Sequence, residues 1–173
     1  VAELQNGRPR TLDNEQILAT EDEHRLAQAR TLLDEILPGY LGDDTTSPVL
    51  LGGDLNTQSH LDWSAEFANA PGHAGLVLDW PVTKAFTEAG FVDTFRAAHP
   101  DAGAEPGRTW SPLEGFGPAP GRIDYILARG AGVEVAGSRA LTERLPEHQA
   151  TPLGKEWAFY SDHGAVVTDL RFT

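Results

Sequence analysis

Apolar positions between residues 20 and 37 recur at helical spacing: Leu26, Ala29, Leu33, Ile36 and Leu37 fall on one stripe. Thr20-Glu21-Asp22-Glu23 has the form of a capping box, with Glu23 three residues after a Thr N-cap, and Pro38-Gly39 ends the segment. This pattern predicts a structural helix lying on a sheet. Val1 to Leu4 reads as the end of a strand and Gly7 to Asn14 as loop. Val49-Leu50-Leu51, after Pro48, is short enough and apolar enough for a buried strand. Leu61 to Ala68 has the look of a short helix. Asp79, Pro81 and Gly90 frame a further helix, with Val82, Ala85, Phe86 and Ala89 on its inner face.

Beyond residue 90 the period changes from helical to alternating. Phe91 to Phe95, Arg122 to Ala128, Val133 to Val135 and Ala165 to Phe172 read as strands. Gly- and Pro-rich loops separate them, notably Gly103 to Gly107 and Gly115 to Gly121. Helices early and strands late predict an α+β fold, a mixed sheet with helices on one face. Neither repeats nor a linker interrupt the chain, and its 173 residues suit one domain spanning 1–173.

Composition narrows the function classes. No apolar run approaches the roughly 20 residues needed to cross a bilayer, and no charged-then-apolar leader is visible. Cysteine is absent, which excludes disulfides, thiolate metal sites and cysteine nucleophiles. Methionine is absent too and Val1 comes first, the mark of a processed product, a trimmed chain or a fragment. The formal charge of −13 argues against strong nucleic-acid binding through a basic face. A phosphate substrate remains compatible with that charge if a divalent cation supplies the positive end.

Candidate chemistry gathers at three places. In Gly52-Gly53-Asp54-Leu55-Asn56, residues two apart at a strand end share a side, so Asp54 and Asn56 would offer a carboxylate and an amide to one volume. Such a pair suits phosphoryl transfer; the same residues also make an ordinary turn. Ser161-Asp162-His163-Gly164 sets a hard oxygen ligand beside a general acid/base, though surface loops carry Asp-His pairs as well. In Arg122-Ile123-Asp124-Tyr125-Ile126, Asp124 would orient the His163 imidazole, or Arg122 and Asp124 simply face water on a one-sided strand.

Taken in order, Gly-Asp-Leu-Asn after an apolar strand, Thr109-Trp110, Arg-Ile-Asp-Tyr-Ile and Ser-Asp-His before the last strand resemble the endonuclease/exonuclease/phosphatase, or DNase I-like, family. Gly-Phe-Val-Asp-Thr-Phe at 90–95 and the helix carrying Arg-Leu-x-Gln at 25–28 extend the resemblance over nearly the whole chain. It implies half of a four-layer α/β/β/α sandwich, the C-terminal portion of the family domain. It also implies a phosphoesterase that hydrolyses a phosphodiester or phosphomonoester by water attack, with Mg2+ or Mn2+ as cofactor. By the same analogy Asp54 helps activate water and approaches the metal, and Asn56 stabilises developing charge. Asp162 is a metal-side ligand, His163 contacts the phosphate or acts as acid/base, and Asp124 orients His163. Trp110 is a core anchor or a substrate platform, with core favoured.

The family's first half supplies an Asn and the principal metal-binding Glu, neither of which lies in this chain. Glu3 stands near the position where many members carry His, and His24 reads as an exposed first-turn residue. This chain alone is therefore expected to be inactive, and its apolar sheet face to pair with a second copy or with the N-terminal half. The competing reading is a non-catalytic binding or interaction module on the same scaffold. Substrate choice stays open among small phosphodiesters, nucleotides and nucleic acid, and Leu113 to Phe116 is too short for a membrane hairpin. Trp80-Pro81-x-x-Lys84-Ala85 and Gly107-x-Thr109-Trp110-Ser111-Pro112 lean toward exported bacterial members.

Overall fold

In a computed structural model, the described residues are 13–44, 46–110, 121–142 and 161–173. A long helical stretch opens the fold, made of α1 (Asn14–Glu21), a π-helical segment Asp22–Leu26, α2 (Ala27–Thr31), a second π segment Leu32–Ile36 and α3 (Leu37–Leu41). It starts earlier than Thr20. Asp13 and Gln16 form the capping box instead: the Gln16 N–H donates to Asp13 Oδ1 at 2.8 Å and the Asp13 N–H to Gln16 Oε1 at 3.0 Å. Thr20, deep in the helix, donates its hydroxyl to the Ile17 carbonyl. The helix holds this earlier start because Ile17 has a core to enter beside Trp63, Leu78 and Trp80.

The stretch ends past Pro38-Gly39, at Gly42 with φ +55°. Pro38 is tolerated because it sits in the first turn of α3, where its missing N–H leaves little unpaired.

Strand β1 (Val49–Asp54) pairs antiparallel with β3 (Asp124–Arg129), and β2 (Val92–Asp93) pairs with the other side of β3. The expected strand 91–95 stops after its second paired residue. Asp93 instead caps α5 (Thr94–Ala98) by accepting the Arg96 N–H at 3.1 Å. Strand β4 (Val133–Leu141), longer than the alternation predicted, pairs with β5 (Ala165–Phe172). Every ladder among the described residues is antiparallel. The two sheets meet where the Thr94 hydroxyl bonds the Ile126 carbonyl and lies 2.8 Å from the Thr168 hydroxyl.

Helix α4 (Pro81–Glu88) has Pro81 at its first turn and Gly90 at φ +84° beyond its end, as expected. Its N-cap is Trp80 rather than Asp79, whose carboxylate pairs with Lys84. Val82 and Phe86 are buried on its inner face, with Ala89 packed against the same core and Thr83 buried as well. Residues 61–68 form turns around a short 3-10 segment, Ala65–Phe67. The expected strand at 1–4, most of the expected loop at 7–14, the 115–120 part of the second Gly-rich loop and the segment 113–116 lie outside the described residues.

The main core joins Ala29, Val82, Phe86, Phe91, Tyr125 and Leu127, so α2 and α4 cover one face of the β1–β3–β2 sheet. The architecture is α+β, with helices against antiparallel sheets. Leu50, Val92, Leu141 and Phe172, between 42% and 58% exposed, remain open to solvent. Among the described residues no helix is long and apolar enough to cross a membrane.

Beside this core lies a buried charge cluster. Arg122 donates from Nε and Nη2 to the two oxygens of Asp62, at 2.8 and 2.9 Å, and its Nη2 reaches Asp93 at 2.8 Å. Arg96 Nε adds a bond of 2.9 Å to Asp62. Burial opposes the Arg122 charge, but Asp62 and Asp93 outweigh it and raise its pKa well above the ordinary value. Its guanidinium also lies 4.8 Å from the Tyr125 ring centroid, a face that accepts a cation. Of the two readings open for Arg122, burial with partners holds; the water-facing one fails.

Removing one partner from such a cluster leaves a buried charge unopposed. Asp62→Ala is expected to destabilise the fold by about 3–5 kcal/mol in urea unfolding, whereas Lys84→Ala at the exposed Asp79 pair should leave the unfolding midpoint nearly unchanged.

Candidate functional site

β1 and β3 run antiparallel with Asp54 directly across from Asp124, the last residue of one strand facing the first of the other. The ladder continues one step further, the Leu55 N–H donating to the Ile123 carbonyl at 2.9 Å. Beyond it the chain turns sharply, and Asn56 adopts a left-handed φ of +51°, which Asn tolerates better than most residues. Asp54 closes this turn: Oδ1 accepts the Asn56 N–H at 2.7 Å and Oδ2 the Asn56 side-chain amide at 2.8 Å. The turn and the paired carboxylate–amide are therefore one object, and both readings of Gly-Asp-Leu-Asn describe it.

His163 arrives from the far end of the chain, just ahead of β5. Its Nδ1 lies 3.0 Å from Asp124 Oδ2 and 3.2 Å from Oδ1, which leaves Nε2 as the free ring nitrogen. Three contacts fix its position. The His163 N–H donates to the Ser161 hydroxyl, residue 163 bridges to Trp110, and the Gly164 N–H donates to the Thr109 carbonyl at 2.6 Å. Only glycine suits position 164, since a Cβ there would lie 2.9 Å from the Leu141 carbonyl oxygen.

Thr109 is the residue that sequence reasoning undervalued. It is fully buried, and its hydroxyl accepts the N–H groups of both Ile123 and Asp124, so one side chain sets the start of β3 and, through its carbonyl, the seat of His163. A lone Thr carries no periodic signal. Trp110 corrects the core assignment. It is half-buried, its indole N–H donates to Asp162 Oδ2 at 3.1 Å, and its ring centroid lies 6.1 Å from that of His163.

Burial by itself would lower the His163 pKa; the hydrogen bond and charge of Asp124, followed by the charges of Asp54 and Asp162, overcome it and raise the value above the ordinary one. The donor atoms of Asp54, Asp124 and His163 lie within 4.8 Å of one another. Two carboxylate oxygens with one imidazole are a donor set that could hold a divalent cation. Asp162 stands outside that trio, its carboxylate turned to the Trp110 indole. Asp54, Asn56, Asp124 and His163 thus share one rim, with Asp162 at its side.

The model of the Endonuclease/Exonuclease/phosphatase family matches residues 19–163. An uncharacterized protein of Caenorhabditis elegans is 31% identical over 168 residues, covering 91% of this chain and 52% of the relative. The solved structure of an endonuclease/exonuclease/phosphatase family protein from Bacteroides thetaiotaomicron aligns at TM-score 0.50 and 18% identity, over 86% of this chain and 46% of that one. An endonuclease/exonuclease/phosphatase from Beutenbergia cavernae aligns at TM-score 0.46 and 22% identity, over 90% of this chain and 32% of that one. The chain spans about half the length of the curated relative it matches.

The raised pKa of His163 has a defined sign. Because the folded state favours the imidazolium, its contribution to stability is complete below the ordinary histidine value and is lost as pH rises through the raised one. In metal-free protein the His163 ring protons should titrate above those of an unstructured histidine by NMR. Asp124→Asn should bring the midpoint down; an unchanged midpoint would remove Asp124 as its partner.

Proposed function

Because the chain belongs to the endonuclease/exonuclease/phosphatase family, we propose that it is the C-terminal portion of a metal-dependent phosphoesterase. The reaction is hydrolysis of a phosphodiester or phosphomonoester by direct attack of water. The observation that carries this reading is the His163–Asp124 pair at one rim with Asp54 and Asn56. Fold class follows from family membership; the activity rests on that convergence.

Asp124 accepts from Nδ1 and so fixes the ring and supports its protonated form, leaving Nε2 to donate to the phosphate or to exchange a proton with it. The Asp54 carboxylate, anchored by two Asn56 donors, is the base-side group that orients water. Asn56 has further hydrogen-bonding capacity for charge developing on the phosphoryl oxygens once substrate competes for its amide. Asp54 with Asp124 or Asp162 would hold a divalent cation, which would neutralise the phosphate charge. That cation is needed on simple grounds. A chain of net charge −13 repels a phosphate, and this rim brings together two carboxylates.

The site takes further groups from an N-terminal segment, including the principal metal-binding Glu, and this chain by itself is inactive. The exposed Leu50, Val92, Leu141 and Phe172 support pairing of the open sheet face with that segment or with a second copy.

The test is hydrolysis of a chromogenic phosphodiester by the intact protein with Mg2+ or Mn2+. His163→Ala and Asp54→Ala should each lower kcat by about a hundredfold or more, and a chelator should abolish turnover. Metal-independent turnover, or full activity in His163→Ala, would overturn the reading. No turnover on any phosphate ester would shift it to a binding module. Light scattering of the chain alone should report more than one copy per particle; a monodisperse monomer would count against the pairing.

A further inference from the structure

A second cleft opens beside the rim, between the helical stretch and the end of β1, with a volume of about 330 Å3. Arg25 and Gln28 line one side, Asp54 and Asn56 line the other, and Phe86 contributes to an apolar floor. Arg25 and Gln28 stand three residues apart and so present one helix face. Among the described residues, Arg25 is the only Lys or Arg that lines the cleft.

Arg25 is held in an unusual way. Its Nη1 donates to Glu21 Oε1 at 2.8 Å, and the Glu21 side chain is 5% exposed against 38% for Arg25. The other Glu21 oxygen is buried with no hydrogen-bond partner. An ion pair at this helical spacing contributes little to stability, while a buried carboxylate oxygen left without a partner is costly. The pair therefore loses on stability. What it supplies is a fixed direction for a guanidinium whose only hydrogen bond among the described residues is that one.

The backbone tells the same story from another side. Arg25 lies within the π-helical segment Asp22–Leu26, where the helix departs from its regular turn. Such departures weaken packing and are frequent where a side chain must be re-aimed for function.

We propose that Arg25, assisted by Gln28, is a specificity-determining contact for esters whose alcohol carries a second phosphoryl group. The inference rests on the phosphoesterase reading of the adjoining rim and adds the substrate class. The scissile phosphate occupies the rim at Asp54, Asn56 and His163. The carbon skeleton of the alcohol crosses the apolar floor, and its second phosphoryl group meets the Arg25 fork and the Gln28 amide. Guanidinium groups bind phosphoryl oxygens through paired N–H donors, and one N–H already spent on Glu21 leaves the rest of the fork available. In so acidic a chain, an anion far from the catalytic metal has little else to hold it.

Calorimetric titration of the intact protein, with Ca2+ present, with thymidine 3′,5′-bisphosphate and with thymidine 5′-monophosphate tests this. The bisphosphate should bind about tenfold or more tightly, as expected for a charge-assisted contact. Arg25→Gln should bring the two affinities together while leaving the monophosphate within about twofold, and Arg25→Lys should restore part of the gap. Gln28→Ala should narrow the gap with an unchanged unfolding midpoint. Equal affinities in the parent protein, no binding of either nucleotide, or an equal loss for both in Arg25→Gln would overturn the proposal. The titration needs no turnover, so an inactive protein that still discriminates the two nucleotides would sink the hydrolase reading and keep the subsite.

Discussion

The salt-bridged cluster of Arg122, Asp62, Asp93 and Arg96 holds the rim of Asp54 and Asp124 in place. Arg122 is two residues from Asp124, at the entrance to β3, and Asp62 belongs to the loop that follows Asp54 and Asn56. Their bidentate bond ties the exit of one strand to the entrance of the other. Asp93, at the end of β2, joins the same guanidinium and caps α5, so the third strand is held by the same charge. Tyr125 reinforces the join, its hydroxyl 2.8 Å from the carbonyls of both Thr57 and Arg122.

Such clusters are poor value as stability alone, because desolvating each charge costs several kcal/mol that Coulomb attraction only roughly repays. Their strength is directional. A guanidinium bonded to two carboxylates admits little rotation or slip, whereas an apolar plug of equal volume would tolerate register shifts between β1 and β3. A one-residue slip would move Asp54 off Asp124 and turn alternate side chains to the wrong face. Balanced burial also explains the composition of the site. The charges that hold the frame cancel among themselves, and the carboxylates of Asp54 and Asp124 collect at the rim.

The rim repeats this division on a smaller scale. Asp54 is fixed by its own turn, Asp124 by the ladder and by the Thr109 hydroxyl, and His163 by backbone contacts to the Thr109–Trp110 segment. His163 retains a free Nε2, and Asp162 is anchored by an indole outside the trio. Arg25 follows the same logic from the helix, held by a carboxylate that has no other visible task.

Much of this was legible along the chain. Period and punctuation located β1, α4, β3 and β5 and placed Asp54, Asn56, Asp124 and His163 next to strand ends, because those signals depend on neighbours in sequence. Local signals failed where tertiary contacts chose between valid alternatives. The capping box at Thr20 lost to that at Asp13 because Ile17 packs on Trp63, Leu78 and Trp80. The strand at 91–95 gave way to a helix because Asp93 serves both the Arg96 N–H and the Arg122 guanidinium. Thr109, Asp62 and the Arg25–Glu21 pair carry no periodicity, and their roles exist only once distant segments meet. The order of residues settled which groups were available and which elements would carry them. Folding decided which of those groups came within bonding distance, because burial made Arg122, Arg96, Asp62 and Asp93 find partners in one another.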